Sequence, residues 1–558
     1  MPTFDLLTQP WIPASVTGGE NDGDTMYGVR EALLRAHELT GIRAASPLVT
    51  AALHRLLLAV VHRSLHTETR AAGPDSVAEW RDLWRQGRFD AVQMTQYLDI
   101  WQHRFDLFDA EKPFYQTIHL DYSYQKSITN LTHEWVTEGS TLFDHTTHAT
   151  SPAFSPARAA QYLVAQQSFA LGGLLTYARK EDKSADGALL AKGAVLLVQG
   201  ETLFETLMLN LHVYHRSDER PFALMSASDA PAWERDDDTQ AEDRRPNGYL
   251  DWLTWQGRRI RLHPTEEPDG AVMVRHVVIM KGNQLPDGYT RFGHETMLAF
   301  HVNKDAKGTQ DPTPVVSFQP EKALWRDSLT LMQSANNARQ RPKMLDWLND
   351  LCVSGALDRT RIVPLIAYGL GSNQAKIFFW RAEQLPLPLA YLSDDNLLMR
   401  VQVALAHADE IGRVLRDTVY ILAKFVFVPN PPSDKQQRDK LYRLRGDDID
   451  ALRATLAPGR QYWSELDAPF SRFLVAQAEE AAARPTRETE TAIGPAFIAW
   501  GGAVRAAARA DVDAMIGGLD SSARMMKAVV QARAHFEGLL VHWRKRAGFD
   551  REEEAKRE

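Results

Sequence analysis

The sequence predicts an α+β protein: a large mixed α/β N-terminal domain over residues 1–388, followed by a C-terminal helical bundle over residues 389–558. Three observations carry this. At 558 residues the chain exceeds what one compact core organises. Helix-like and strand-like patterns interleave up to about residue 385. From about Asn396 to Arg546, apolar residues recur almost only at spacings of three and four, the period of helices with one buried face. The proline-rich LPLPLAYLSDD lies between the two regimes and marks the boundary. No internal repeat is visible.

Taken in order, SPLVTAALHRLLLAVVHRSL reads as a buried helix with Ser46 as its cap and Pro47 in its first turn. SPARAAQYLVAQQSFALGG, Ser155 to Gly173, starts in the same way and ends on paired glycines. AKGAVLLVQG is a strand, and ETLFETLMLNLHVY the helix after it. ERDDDTQAEDRRPNG, Glu234 to Gly248, is a charge run without an apolar period and reads as a mobile surface loop. AVMVRHVVIMKGNQ, Ala271 to Gln284, has strand-like β-branched density and then a Lys-Gly turn. KDAKGTQDPTP is turn-rich, and RIVPLIAY is a buried strand that runs into GLGSNQAKIFFW. The bundle reads as one helix over NLLMRVQVALAHADEIGRVLRDTVYILAKFVF, a second over DKQQRDKLYRLRGDDIDALRATL, a long third stretch, and a last over DVDAMIGGLDSSARMMKAVVQARAHFEGLLVHWRKR. PNPPSD, APGR and the Pro485 region separate them.

Composition narrows the function. A single cysteine, Cys352, excludes an internal disulfide and a cysteine-rich zinc site. MPTFDLLTQPW lacks the basic start and apolar core of a secretory signal, and LLLAVV is cut short by His62 and Arg63, so a cytoplasmic protein is expected. A formal net charge of −8 argues against a free-standing, non-specific nucleic-acid binder, though not against local basic sites or retention by partner subunits.

Enzymatic motifs are missing: there is no phosphate-binding Gly-x-x-x-x-Gly-Lys loop, no Gly-x-Ser-x-Gly elbow and no His-Glu-x-x-His. GLGSNQ approaches a dinucleotide fingerprint, but Gln374 replaces the third glycine and AKIFFWRAEQLPLP is a poor crossover helix. The spacings of His145 with His148 and of His212 with His215 suit either polar packing or a metal, but no third ligand follows by spacing. Gly172 and Gly173 suit either a helix end or close approach of backbone to a ligand. Lys281 is either a solvated turn lysine or a contact. Gln374 stands out because glutamine has no turn preference, so a loop-tip position leaves it available to an outside partner. Between Ser521 and Arg546, Arg524, Lys527, Arg533, Arg544, Lys545 and Arg546 face one acid, Glu537. Completion of the helix dipole accounts for the last three but not the first three, and a nucleic-acid strand suits the remainder.

At these residues the chain resembles the CasA family, the large subunit of the type I-E CRISPR surveillance complex, Cascade. FDLLTQPWIP, VREALLRAHEL, SPLVTAAL, EKPFYQ, TLFDHT, SFALGG, GETLFETLMLNL and GSNQA occur in the family's order over nearly the whole chain. The resemblance implies a C-terminal four-helix bundle and a non-catalytic subunit without cofactor or metal. Its implied partners are guide RNA, target double-stranded DNA, the backbone, small and handle-binding subunits, and a helicase-nuclease, with no membrane. It implies that the protospacer-adjacent motif is read from the minor groove. Gln374 would be the wedge with Asn373 beside it, Lys281 the lysine finger, and Gly172 and Gly173 the glycine loop. Phe143 and His145 would lie in the loop that docks onto RNA and backbone subunits, and Arg524, Lys527 and Arg533 on a basic bundle face.

Overall fold

The computed structural model describes residues 2–16, 25–68, 70–134, 152–177, 179–223, 225–236, 239–307, 311–336, 338–373, 376–483 and 494–549. The chain divides into two bodies. The first comprises Met1–Phe318, Ser334–Arg359 and Val363–Leu385; the second comprises Gln319–Gln333, Thr360–Ile362 and Pro386–Glu558.

In the first body, helix Pro47–Ser64 is buried on nearly every side, as its high apolar content requires. It packs against helices Pro156–Phe169 and Tyr249–Leu253. Ser46 occupies the cap position, but its hydroxyl caps nothing; Thr50 bonds the Ser46 carbonyl instead. Arg55 lies inside this core, 3.0 Å from Glu295, and donates to the carbonyls of Leu253 and Trp252. Trp252 Nε1 donates to the same carboxylate at 2.8 Å. The Arg55, Glu295 and Trp252 side chains are thus paired as burial demands.

Three small antiparallel sheets matter for position. Ile12–Val16 lies between Thr25–Tyr27 and Leu39–Ile42. Val272–Lys281 lies between Arg258–Glu266 and Lys126–Ser127, and helix Pro156–Phe169 packs on this sheet. Ile362–Asn373 lies between Val195–Val198 and Lys376–Pro388. KIFFWRAEQ alternates exposed and half-buried, the signature of a strand with one face outward.

Several expectations are corrected. Glu234 to Gly248 does not run free. Glu234 pairs with Arg63 at 2.7 Å, and Arg235 and Arg244 both bind the buried Asp251 carboxylate, which their charges hold below the usual range. The charge run is a set of ion-pair anchors, missed because its partners lie outside the run itself: Asp251 just beyond it and Arg63 171 residues before Glu234. ETLFETLMLNLHVY is helical only over Leu203–Leu209. Asn210 there turns its amide onto the Val198 backbone.

In the second body, four long helices form the bundle: Asp395–Phe427, Asp467–Ala483, Pro495–Gly517 and Ala523–Arg546. Trp500, Phe470, Phe473 and Phe497 pack ring to ring, and Trp500 Nε1 donates to the Ala404 carbonyl. The second helix expected from sequence is two, Lys435–Leu444 and Gly446–Leu456, because Arg445 leaves helical geometry at the junction. The last is interrupted at Gly518 to Ser522, where Ser522 caps the final helix by accepting from Met525 N.

Candidate nucleic-acid interface

Strand Val272–Lys281 ends at Lys281, which lies opposite Arg258 in the hairpin register. Gly282 follows because a Cβ there would come within 2.7 Å of the Arg258 nitrogen and the Gln256 carbonyl. Lys281 is half-buried, and its ammonium makes no ion pair with a described residue.

Helix Pro156–Phe169 meets this strand end through Gln167. Its amide donates to the Arg258 carbonyl at 2.9 Å and accepts from the Arg258 N–H at 3.1 Å. The helix stops at Phe169, with Ala170 already extended, so Gly172 and Gly173 are not its terminus. They open a two-residue strand instead: Gly173 pairs with Ala185 and Leu174 with Ser184. Gly172 has no room for a Cβ, which would lie 2.9 Å from the Gly187 nitrogen. Gly173 holds φ 149°, a region that side-chain-bearing residues rarely adopt.

Arg258 joins the glycines to the lysine strand. It is buried, and its guanidinium donates to the carbonyls of Gly257 (2.8 Å), Leu171 (3.0 Å) and Asp186 (2.7 Å). Burial pulls its pKa down to about 10, with Asp186 opposing, so it stays charged at neutral pH. Gln284 clamps the other side by accepting from the Asp186 N–H at 2.6 Å while donating to the Asn283 carbonyl at 2.7 Å. Arg259 donates to the Lys281 carbonyl at 2.7 Å and lies 4.0 Å from Asp182. Both stems of the Gly172–Gly187 segment are thereby fixed to the end of the lysine strand. A cleft of about 440 Å³ opens beside them, lined by Gly172, Gly187, Lys192, Gln284 and Arg291 among others.

Arg258, Arg259, Gln167 and Gln284 were not singled out from the sequence. The signal was QGRRIRL: two arginines opening a strand, one for each face.

The remaining candidates fall elsewhere. Asn373 is the exposed last residue of its strand, on a different sheet from Lys281. The glycines before it serve packing, not phosphate. Gly369 sits against the Gly193 carbonyl and the Phe318 ring, and Gly371 under the Phe379 ring. Gln374, Phe143 and His145, with His148, lie outside the described residues. His212 is buried against Tyr249, its pKa pushed well down by burial, whereas His215 faces Asp218 at 3.3 Å. The two rings have different surroundings.

The bundle cations are already engaged. Arg524 donates to the Val426 carbonyl, Lys527 to Asn430 Oδ1 at 2.6 Å, and Arg533 pairs with Asp513 at 2.7 Å. Nine residues apart on one helix, Arg524 and Arg533 point about half a turn from each other. They flank the helix on opposite sides, with Lys527 turned outward, and do not form one face.

The model of the CRISPR-associated protein Cse1 family matches residues 5–510. The CRISPR-associated protein CasA/Cse1 of Thermus thermophilus is 33% identical over 553 residues, covering 96% of this chain and 97% of that protein. The crystal structure of Thermus thermophilus CasA superposes with a TM-score of 0.76 at 28% identity, over 97% of this chain and 100% of that one. A chain from a CRISPR RNA-guided surveillance complex shares the fold, with a TM-score of 0.69 at 20% identity over 96% and 100%. On the match along most of its length, this chain belongs to the CRISPR-associated Cse1 (CasA) family.

Proposed function

We propose that this chain is the non-catalytic DNA-recognition subunit of an RNA-guided surveillance complex: it reads the protospacer-adjacent motif from the minor groove, starts strand opening and helps recruit the helicase-nuclease. The observation that carries the reading is the junction at Arg258, where Gly172, without room for a side chain, and Gly173, at a φ that favours glycine, are locked beside the end of the Lys281 strand. Glycine lets backbone approach a groove that side chains would block. Lysine donates to acceptors on base edges, and the minor groove offers mainly a distinction of A·T from G·C, which suits a reader that tolerates several motifs. Gln374, with Asn373 beside it, would act as a wedge whose unstacking cost is offset by the bound motif. Pairing with the guide RNA would then extend from the opened end. Arg524, Lys527 and Arg533 would contact separate stretches of displaced or flanking strand, and the loop with Phe143 and His145 would dock onto RNA and backbone subunits.

The test is duplex binding by the RNA-loaded complex, assembled with and without this chain, on targets with matched and scrambled flanks. Discrimination between flanks that appears only with the chain supports the reading. Equal gain on both flanks, or failure to join the complex, overturns it.

A further inference from the structure

We infer that the outer face of the Gly173–Ala185 hairpin is a second DNA contact, in which Leu174 enters the minor groove against its floor while Arg179, Lys180 and Lys183 lie along the bordering phosphates. The inference rests on the proposed function and adds to it a residue that senses the groove floor.

Register decides which side chains project. Gly173 pairs with Ala185, which is buried, so that face of the hairpin turns toward the fold. Leu174 pairs with Ser184, and successive residues of a strand alternate, so this pair turns outward. Leu174 is 81% exposed, and its cross-strand neighbour is a small polar residue that offers no apolar cover. The backbone under it is not loose. Leu175 N donates to the Lys183 carbonyl at 2.9 Å, Arg258 holds Leu171 and Asp186 at the two stems, and Arg259 stands 4.0 Å from Asp182. A large apolar side chain is therefore presented at a fixed place, one residue beyond the glycines.

Charge names the partner. Arg179, Lys180 and Lys183 are all exposed, and none makes an ion pair with a described residue. Of the two acids on the hairpin, Asp182 is near Arg259 and Glu181 remains, so the tip carries net positive charge within a protein of net −8. A protein partner of ordinary composition would not need this combination. A duplex does: the minor groove has apolar sugar walls about 6 Å apart, room for one such side chain, with phosphates along both rims. Over A·T pairs its floor lacks the guanine 2-amino group, so a leucine lies flat there. Apolar side chains are a recurring minor-groove device.

The test uses the RNA-loaded complex carrying the full chain. Adenines in the flanking motif are replaced by 2,6-diaminopurine, which adds a 2-amino group to the floor and leaves the major groove unchanged. The wild-type complex is expected to lose affinity by roughly tenfold, within the range of one base-edge discrimination. Leu174→Ala is expected to lose most of that penalty; an equal penalty in both proteins overturns the placement of Leu174. Replacing Arg179, Lys180 and Lys183 with alanine should make the slope of log affinity against log salt shallower by roughly two to three; an unchanged slope overturns the phosphate contacts. If Leu174→Ala and wild type respond alike but flanks are still discriminated, the inference fails and the proposed function stands. If the wild type never discriminates flanks, both fail.

Discussion

Arg258 in the first body and Arg533 in the second bind oxygen acceptors at the same distance, yet their settings are opposite. Arg258 is enclosed and spends its donors on three backbone carbonyls from separate segments. Arg533 is about half exposed and meets one exposed carboxylate, Asp513. The contrast extends to Arg55, buried on Glu295, and Arg509, exposed on Glu537. An enclosed guanidinium fixes backbone that would otherwise wander, because each lost bond leaves a buried carbonyl unpaired. An exposed one is screened and interchangeable with water. Arg258 and Arg55 thus hold backbone and core groups still, whereas Arg533 and Arg509 make exchangeable pairs at the bundle surface.

The largest effects should fall where charge is enclosed. Glu295→Ala strands the Arg55 charge and should cost about 3–5 kcal/mol in urea unfolding of the first body. Asp513→Ala should cost about 0–1 kcal/mol in the bundle. Similar costs for both would break the comparison.

Acid should separate the bodies as well. Burial pushes His54, His62 and His133 down to about 4, all in the first body. Their folded values lie below the unfolded value near 6.5, so the unfolded chain takes up protons first. Their contribution is complete above pH ~6.5 and is lost as pH falls from there toward 4, on the order of 3 kcal/mol per ring at full effect. The first body's urea midpoint should therefore drop between pH 7 and pH 5; a flat midpoint contradicts this.

At the proposed wedge the expected effect is smaller. Gln374→Ala should weaken binding to closed duplex by roughly tenfold and to a pre-opened bubble by much less, since a wedge acts only while bases must unstack. Equal losses on both targets would remove the wedge role. Smallest in affinity, replacing Arg524, Lys527 and Arg533 with alanine should flatten the salt dependence of binding without altering flank preference. An unchanged slope would leave these residues as helix anchors only.

The periodic elements were legible in the sequence. SPLVTAALHRLLLAVVHRS and the run from Asp395 to Phe427 show the apolar spacing of buried helices; KIFFWRAEQ reads only as a poor helix, and its strand alternation emerges in the fold. Of the candidate site, Gly172, Gly173 and Lys281 were visible as residue types, but their adjacency was not. It depends on Arg258 reaching Leu171 and Asp186, contacts 87 and 72 residues apart in sequence. The charge run after Glu234 was misread because its fixing partners, Arg63 and Asp251, lie outside it, and a run of charges does not show which of them will be paired. On the last bundle helix, a count of basic residues leaves out the half turn between Arg524 and Arg533.

If the locked junction of glycines and lysine strand reads the flank, Lys281→Ala should remove that reading. The measurement is the ratio of affinities for matched and scrambled flanks, in RNA-loaded complexes with and without the substitution. The expected loss is about 1–3 kcal/mol on the matched flank and little on the scrambled one, so that the ratio collapses toward one. A loss of equal size on both flanks would make Lys281 a phosphate contact and contradict the claim.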